Sequence, residues 1–493
     1  MADRDLRGFL AFGVGRGLAT LFGVVVAALV GRLLGPDVLG RWTLLAAAGA
    51  LLHTALINWT HASTVRFGRE EWVRASSFHR TLSARLPMLG SSLAVATVLL
   101  LAEPGNWLQR WFGVEAADRW MVALFALNVW LTAEAQATLQ AAGKLSRQAL
   151  VASVVGGLSV VVVMALLWSG QRSLASAVIA VNLLPIAAWG GTWLRMLWRS
   201  RRSEDPAPPI HTPAEHLRYG WPLVPGFALG YLASFGAPLL LGRLSSMTNV
   251  GLYGLSYQFV AAVISANSLL TTFLLPWLIR RHVEDPNATR DYVGGAVPTL
   301  YTLWMIATVW LVALLPVALA VFTGNQFRSA QPVLLILLVA VPPSVITSLY
   351  TILFDVQGRL GRVVIYMVPT TIANIACCLV LIPAYGVFGA AVATALSTAA
   401  GQALYIWDQH RHLHIAPARV WGLWATGLAL GIAQVAIGVG IANRLIWAVV
   451  GTLTLSGMVR RAACVDGLLV RQLLGNRLNL LARVINRVLV AEA

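Results

Sequence analysis

Carboxylates are scarce in this sequence, with 19 Asp and Glu against 36 Lys and Arg in 493 residues. Charged residues of either sign make up only 11% of the chain. A water-soluble globule of this length needs a polar surface that such a composition does not supply, so soluble enzymes and soluble binding modules are excluded. Cysteine is almost missing as well: Cys377 and Cys378 are adjacent in an apolar run and Cys464 lies near the end, leaving no CxxC pair and no disulfide framework. The histidine cluster His410, His412 and His414 has no carboxylate or thiol at metal-ligand spacing, so no metal centre is expected there. No phosphate-cradling P-loop occurs, and no cofactor is expected.

What the chain has in excess is apolar length. Hydrophobic residues make up 58% and mean hydropathy is +0.74, while about 20 consecutive apolar residues suffice to cross a bilayer. The fold class is therefore an all-α integral membrane protein. The N-terminal apolar run is longer than a secretory signal and lacks a small-residue cleavage site, so it is expected to persist as the first membrane helix. Spans are expected at 9–31, 40–62, 84–102, 119–142, 146–168 and 174–197, then at 217–241, 250–278, 293–321, 331–354, 363–382 and 386–407. Two further spans at 419–441 and 444–459 bring the expected crossings to about 14.

Lys and Arg accumulate on the cytoplasmic side of membrane proteins. With the N-terminus inside, and basic residues at span edges counted with the adjoining segment, inner segments hold 27 basic residues and outer segments 8, and Arg16 alone lies deep within a span. Both termini are thus placed in the cytoplasm. The net charge of +17 is read as an orientation signal and a match to anionic lipids, not as a nucleic-acid footprint. The tail interleaves Arg471, Arg477, Arg483 and Arg487 with leucines and valines, and is expected to lie along the inner surface.

An internal repeat divides the chain. "GRLLGPDVLGRW" (31–42) returns as "GRLSSMTNVGLY" (242–253), and "LQAAGKLSRQAL" from Leu139 pairs with "FDVQGRLGRVVI" from Phe354. The polar, proline-rich stretch 199–216 separates the copies. The expected organisation is an N-terminal six-helix lobe over 1–198, a cytoplasmic linker over 199–216, a second six-helix lobe over 217–410, two extra helices over 411–460 and a basic interfacial tail over 461–493. Six is even, so both copies enter from the same side and are related by an axis along the membrane normal, enclosing a central cleft. Gly40 and Gly251 are expected to permit tight re-entry of the chain after each outer turn.

These motifs, together with "YGWPLVPGF" (219–227), "VGLYGLSYQF" (250–259) and "IPAYGVFGAAVATALS" (382–397), resemble the polysaccharide-export (Wzx-type) branch of the multidrug/oligosaccharidyl-lipid/polysaccharide (MOP) flippase superfamily. The resemblance covers nearly the whole chain. It implies a bacterial inner-membrane protein that moves polyprenyl-pyrophosphate-linked oligosaccharides from the cytoplasmic to the periplasmic leaflet by alternating access, for polysaccharide or O-antigen biosynthesis. Implied partners are the lipid-linked oligosaccharide, anionic membrane lipids, a proton or sodium counter-ion and other membrane proteins of polysaccharide assembly. One departure stands out: where the family commonly carries Asp near the outer end of the seventh helix, this chain reads Ala237 and Pro238, so an ion-coupling role for that Asp does not transfer.

Polar residues inside spans mark the expected pathway, because an ionisable group facing lipid costs several kcal/mol. Arg16 lies two turns into the first helix on a face with Gly13, Thr20 and Gly23, while Leu18, Phe22 and Val25 face elsewhere. It is read either as a clamp for pyrophosphate or as a residue that snorkels or pairs with Glu134. His53, Asn58 and His61 share one face of the second span. Asn128, Thr132, Gln136 and Gln140 follow i+4 spacing in the fourth, and the repeat preserves that stripe as Thr347, Thr351 and Asp355. Such rows suit a hydroxyl-rich ligand or, alternatively, bond helix to helix. Glu134 and Asp355 are the carboxylate candidates for ion coupling, and His53 and His61 are candidates for proton coupling. Two other functions are weighed. A drug/ion antiporter of the same superfamily would carry an embedded acid in its first helix, where Arg16 stands instead. A membrane enzyme of polysaccharide assembly would need a catalytic outer loop, and the longest outer segment, 103–118, leaves little room for one.

Overall fold

The computed structural model describes residues 2–200, 212–285, 288–414, 418–438 and 440–462. The linker over 199–216 and the basic tail over 461–493 therefore fall largely outside the described residues. Among the described residues there is no strand. The helices cluster into two compact units, Met1–Leu255 and Ser256–Ala493.

In the first unit, α1 (Ala2–Leu56) continues past a break at Ile57 into α2 (Asn58–Ala75) and α3 (His79–Leu101). A short α4 (Trp107–Phe112) precedes α5 (Arg119–Ala141), α6 (Leu145–Ser169) and α7 (Leu174–Ser200). After the linker come α8 (Pro213–Gly220) and α9 (Val224–Leu244). The next helix, α10 (Met247–Glu284), runs across the division into the second unit. There, α11 (Ala288–Asp291), α12 (Val297–Thr323), α13 (Ala330–Leu337), α14 (Val345–Val356), α15 (Leu360–Tyr385), α16 (Val387–Leu413), α17 (Ala418–Ile437) and α18 (Ile441–Ala462) follow in order.

Eleven described segments are long and apolar enough to cross a membrane, making this a multi-pass membrane protein. The first of them, Phe12–Leu56, is 45 residues long and contains most of the first expected span and most of the second. At about 1.5 Å per residue an unbroken helix of that length would be roughly twice as long as a bilayer core is thick. Gly35 breaks it, with φ 79° and ψ 169°, a conformation that a Cβ would strain and that the following Pro36, lacking an N–H, does not oppose. The expected eighth span falls within α10, and the expected last one coincides with the shorter apolar helix Ile441–Gly457.

The repeat survives as geometry. Gly143 and Gly358, the matched glycines ahead of α6 and α15, both adopt positive φ, 69° and 65°. The repeated outer turn corrects the sequence reading, because Gly40 and Gly251 are helical and are not the re-entry residues. Their role is close packing. A Cβ on Gly40 would lie 2.0 Å from the Met247 carbonyl oxygen, and one on Gly251 would lie 1.9 Å from that of Pro36. Pro36 and Met247 occupy the same place in the two copies, so each turn presents the same glycine to the same carbonyl of the other. That reciprocity is the signature of packing about a two-fold relation. It also explains why residues 242–255 cluster with the first unit and not with the chain that follows them.

A methyl group at either glycine must displace backbone. Gly251→Ala is therefore expected to destabilise the purified protein by about 1–3 kcal/mol or more, as overpacking does. Gly236→Ala, on α9 with no atom within 4 Å of the added carbon, supplies the control and should leave the thermal midpoint unchanged or raise it. Equal midpoints for the two variants would refute the close-packing role.

Candidate functional site

Helix α5 carries two polar faces and separates two sites. On one side α1, α5, α6 and α7 enclose a cavity of about 340 Å³. Arg16 and Thr20 of α1 line it together with Asn128, Thr132 and Gln136 of α5. Four of the residues singled out in the sequence thus meet in one place. Their i+4 spacing put Asn128, Thr132 and Gln136 on a single wall, as helix geometry requires.

The wall is ordered by its own bonds. Thr132 Oγ1 donates to Asn128 Oδ1 at 3.2 Å, and Asn128 Nδ2 donates to Asn182 Oδ1 at 2.7 Å. Asn182, on α7, is fully buried and donates to the Val178 carbonyl at 2.8 Å. Sequence reading missed Asn182, although an asparagine inside an apolar run is itself a signal for a buried partner. Removing it leaves the Asn128 amide unpaired, so Asn182→Leu is expected to cost about 1–3 kcal/mol, read as a lower thermal midpoint in detergent.

Arg16 is half-buried at the cavity, and its carbonyl accepts from Thr20 Oγ1 at 3.0 Å. Its guanidinium has no carboxylate partner among the described residues. Two sequence expectations about its surroundings meet the structure. First, Phe22 does not line the cavity and packs onto α6: a Cβ on Gly156 of α6 would lie 2.9 Å from the Phe22 Cβ, so α6 seats that ring against glycine. Gly15 packs as closely on Ala149 of α6, and the Gly15 carbonyl accepts from Ser153 Oγ at 2.7 Å. These contacts pin α1 to α6 and aim the Arg16–Thr20–Gly23 face into the cavity. Second, Glu134 is not the partner of Arg16.

Glu134 points to the other side of α5, into a closed network. It is fully buried against a fully buried Arg85 of α3, which donates to its two oxygens at 2.7 and 3.2 Å. Arg85 also donates to Thr60 Oγ1 at 2.7 Å. The first turn of α3 is fixed by Glu71, whose oxygens accept from the backbone N–H of Arg80 and Thr81 at 3.0 and 2.8 Å. His61 Nδ1 lies 3.0 Å from Glu134 Oε2, and His53 Nε2 lies 3.1 Å from His61 Nε2. One of those two facing nitrogens must carry the hydrogen, so the rings share a single bonding proton. Arg85, counted from sequence with the inner basic segment, is therefore a second arginine inside a span. The clue was Glu134 itself, a carboxylate that could not be buried alone.

The remaining candidates lie apart from these two sites. Asn58 begins α2 and is half-buried. Gln140 is exposed at the end of α5 and does not line the cavity. In the second unit, Thr347, Thr351 and Asp355 form the half-exposed stripe of α14, opposite a face made of Leu349, Tyr350, Leu353 and Phe354. Thr351 Oγ1 donates to the Thr347 carbonyl at 2.7 Å. Asp355 does not meet Arg359, whose ion-pair partner is Asp408 at 3.6 Å.

A family described as "Polysaccharide biosynthesis protein" matches residues 87–332. Sequence comparison with curated proteins gives no significant match. Among solved structures, the fold is similar to that of the lipid II flippase MurJ in an inward closed conformation, with TM-score 0.62 and 11% identity over 92% of this chain and 99% of that one. It is also similar to a multidrug resistance MATE family transporter of the MOP superfamily in an inward-facing conformation, with TM-score 0.57 and 13% identity over 80% of this chain and 94% of that one. A MATE structure in a straight conformation aligns with TM-score 0.53 and 15% identity over 83% and 95%.

Proposed function

We propose that this chain, a member of the multidrug/oligosaccharidyl-lipid/polysaccharide flippase superfamily, moves a polyprenyl-pyrophosphate-linked oligosaccharide from the cytoplasmic to the periplasmic leaflet of a bacterial inner membrane. One observation carries this reading: a cavity in which Thr20, Asn128, Thr132, Gln136 and Ser159 are set among apolar side chains, and whose single formal charge is a guanidinium without a described counter-ion. Guanidinium is the side chain best matched to pyrophosphate, through two parallel charge-assisted hydrogen bonds. Asn128, Thr132 and Gln136 suit sugar hydroxyls, each of which needs a partner when water leaves. A cationic drug would meet the wrong charge at Arg16, which sets the drug/ion antiporter behind this reading.

Transport follows by alternating access, with the lipid tail left in the membrane. Carrying about two negative charges outward across an inside-negative membrane is downhill by about 4.6 kcal/mol per 100 mV, from 2.3 for each charge. Potential thus supplies a direction without ATP. For the counter-ion we assign a proton to the His53–His61 pair, faced by Glu134 and Arg85, and not to Glu134 alone, because Arg85 already occupies both of its oxygens. His53→Asn is expected to abolish stimulation of transport by a pH gradient while leaving stimulation by potential; an unchanged response to the pH gradient excludes the pair as the coupling group.

The test of the function itself is reconstitution. Protein in vesicles with a fluorescent polyprenyl-pyrophosphate oligosaccharide should expose that lipid to an impermeant quencher faster than empty vesicles do, and faster still with the substrate-accepting side negative. A rate equal to that of empty vesicles at every potential refutes the proposal.

A further inference from the structure

A second charged cavity, of about 450 Å³, opens where the N-terminal end of α15 meets the C-terminal end of α16. Arg359, just ahead of α15, and Arg362 within it line one side, and Arg411 and His412 of α16 with His414 just after it line the other. Three guanidiniums face one carboxylate, Asp408, so the cavity has an excess of two positive charges before either histidine takes a proton. Asp408 is already engaged. It is buried, its Oδ1 accepts from the Tyr366 hydroxyl at 2.5 Å, and its Oδ2 lies 3.6 Å from Arg359. Arg359 is thereby anchored and also donates to Gln357 Oε1 at 3.3 Å. Arg411 stacks its guanidinium 5.3 Å from the centroid of the Trp407 ring, which orients the planar group. No carboxylate of the described residues lies within 4 Å of Arg362 or Arg411.

This arrangement is not what the fold demands at that place. In the first copy of the repeat, Lys144, the counterpart of Arg359, stacks its ammonium 4.7 Å from the Trp72 ring. The end of α7 packed near it carries Trp193, Met196 and Leu197 in an apolar cluster. Arg147 also stands at the place of Arg362, so the two copies share the cations at the start of the helix, and the difference lies in the facing helix end: apolar side chains in the first copy, Arg411 and two histidines in the second. Like charges gathered in a concave site repel unless an anion joins them.

We propose that the cavity lined by Arg359, Arg362 and Arg411 binds a multiply charged phosphate group, either free pyrophosphate or a phosphate monoester carried on a lipid headgroup. Arg362 and Arg411 supply the forks, the Asp408–Tyr366 pair holds Arg359 in place, and His412 and His414 add donors at the rim. The site is separate from the Arg16 cavity, and its occupancy does not depend on the flippase reading.

Calorimetric titration of sodium pyrophosphate into the full chain in uncharged detergent tests the free-ligand source, with Arg16→Gln as background so that the first cavity does not contribute. The double variant Arg362→Gln/Arg411→Gln is expected to weaken binding by about 100-fold, roughly tenfold for each guanidinium replaced. For the lipid source, nanodiscs of phosphatidylcholine with about one-fifth labelled phosphatidic acid are compared with phosphatidylcholine alone. Retention of that lipid by the wild type but not the double variant, without pyrophosphate binding, assigns the lipid headgroup. Should the Gln pair fail to fold, Arg362→Lys/Arg411→Lys keeps the charge and must still weaken the bound phosphate several-fold through loss of the forks. If the folded variants match the wild type in both arms, the proposal is overturned.

Discussion

Arg16→Ala is expected to slow the flipping of a pyrophosphate-linked oligosaccharide by roughly 100-fold or more. Two charge-assisted hydrogen bonds to a phosphate oxygen pair are together worth about 3 kcal/mol or more, and each 1.36 kcal/mol is about tenfold in rate. Arg16→Lys keeps the charge but loses the planar fork, so an intermediate loss of about tenfold is expected. Stability should not follow. Arg16 is half-buried, lines a cavity and pairs with no described carboxylate, so its removal leaves no buried charge without a partner. The measurement is quencher accessibility of the fluorescent lipid in vesicles at fixed potential, with the thermal midpoint in detergent recorded alongside. A rate within about twofold of wild type would remove Arg16 from the pathway.

Glu134→Ala is expected to do the reverse, costing about 3–5 kcal/mol of stability, because it strands a fully buried guanidinium. The consequence is a lower thermal midpoint and poor recovery of folded protein. Arg85→Ala should cost a similar amount by stranding Glu134. The double variant Arg85→Met/Glu134→Leu removes both charges and fills the space with apolar side chains, so its cost should be much smaller than the sum of the two. In the double variant Thr60 loses Arg85 and His61 loses Glu134, which sets the residual deficit. Additive costs for the two substitutions would mean that Arg85 and Glu134 do not act as a pair.

The contrast between these two residues shows how far local pattern reaches. Asn128, Thr132 and Gln136 were legible as one wall because helix periodicity is a property of consecutive residues. Arg16 was legible because a charge inside an apolar run stands out without reference to anything else. The partner of Glu134 was not legible: Arg85 is 49 residues away in sequence, and spacing along the chain offered Arg16 as readily. Asn182 was missed for the same reason, its partner Asn128 being 54 residues distant.

The sequence by itself determined the membrane class, the repeat and which polar residues share a helix face inside a span, because hydropathy, internal similarity and helical spacing are written along the chain. Tertiary structure decided how those residues are used. Gly40 and Gly251 occupy equivalent places in the repeat, yet only the packed turns show that each receives the other copy's carbonyl. Whether a basic helix end binds lipid, neutralises a carboxylate or lines a hollow depends on which side chain faces it. That choice is made by packing across the fold, where sequence spacing no longer measures distance.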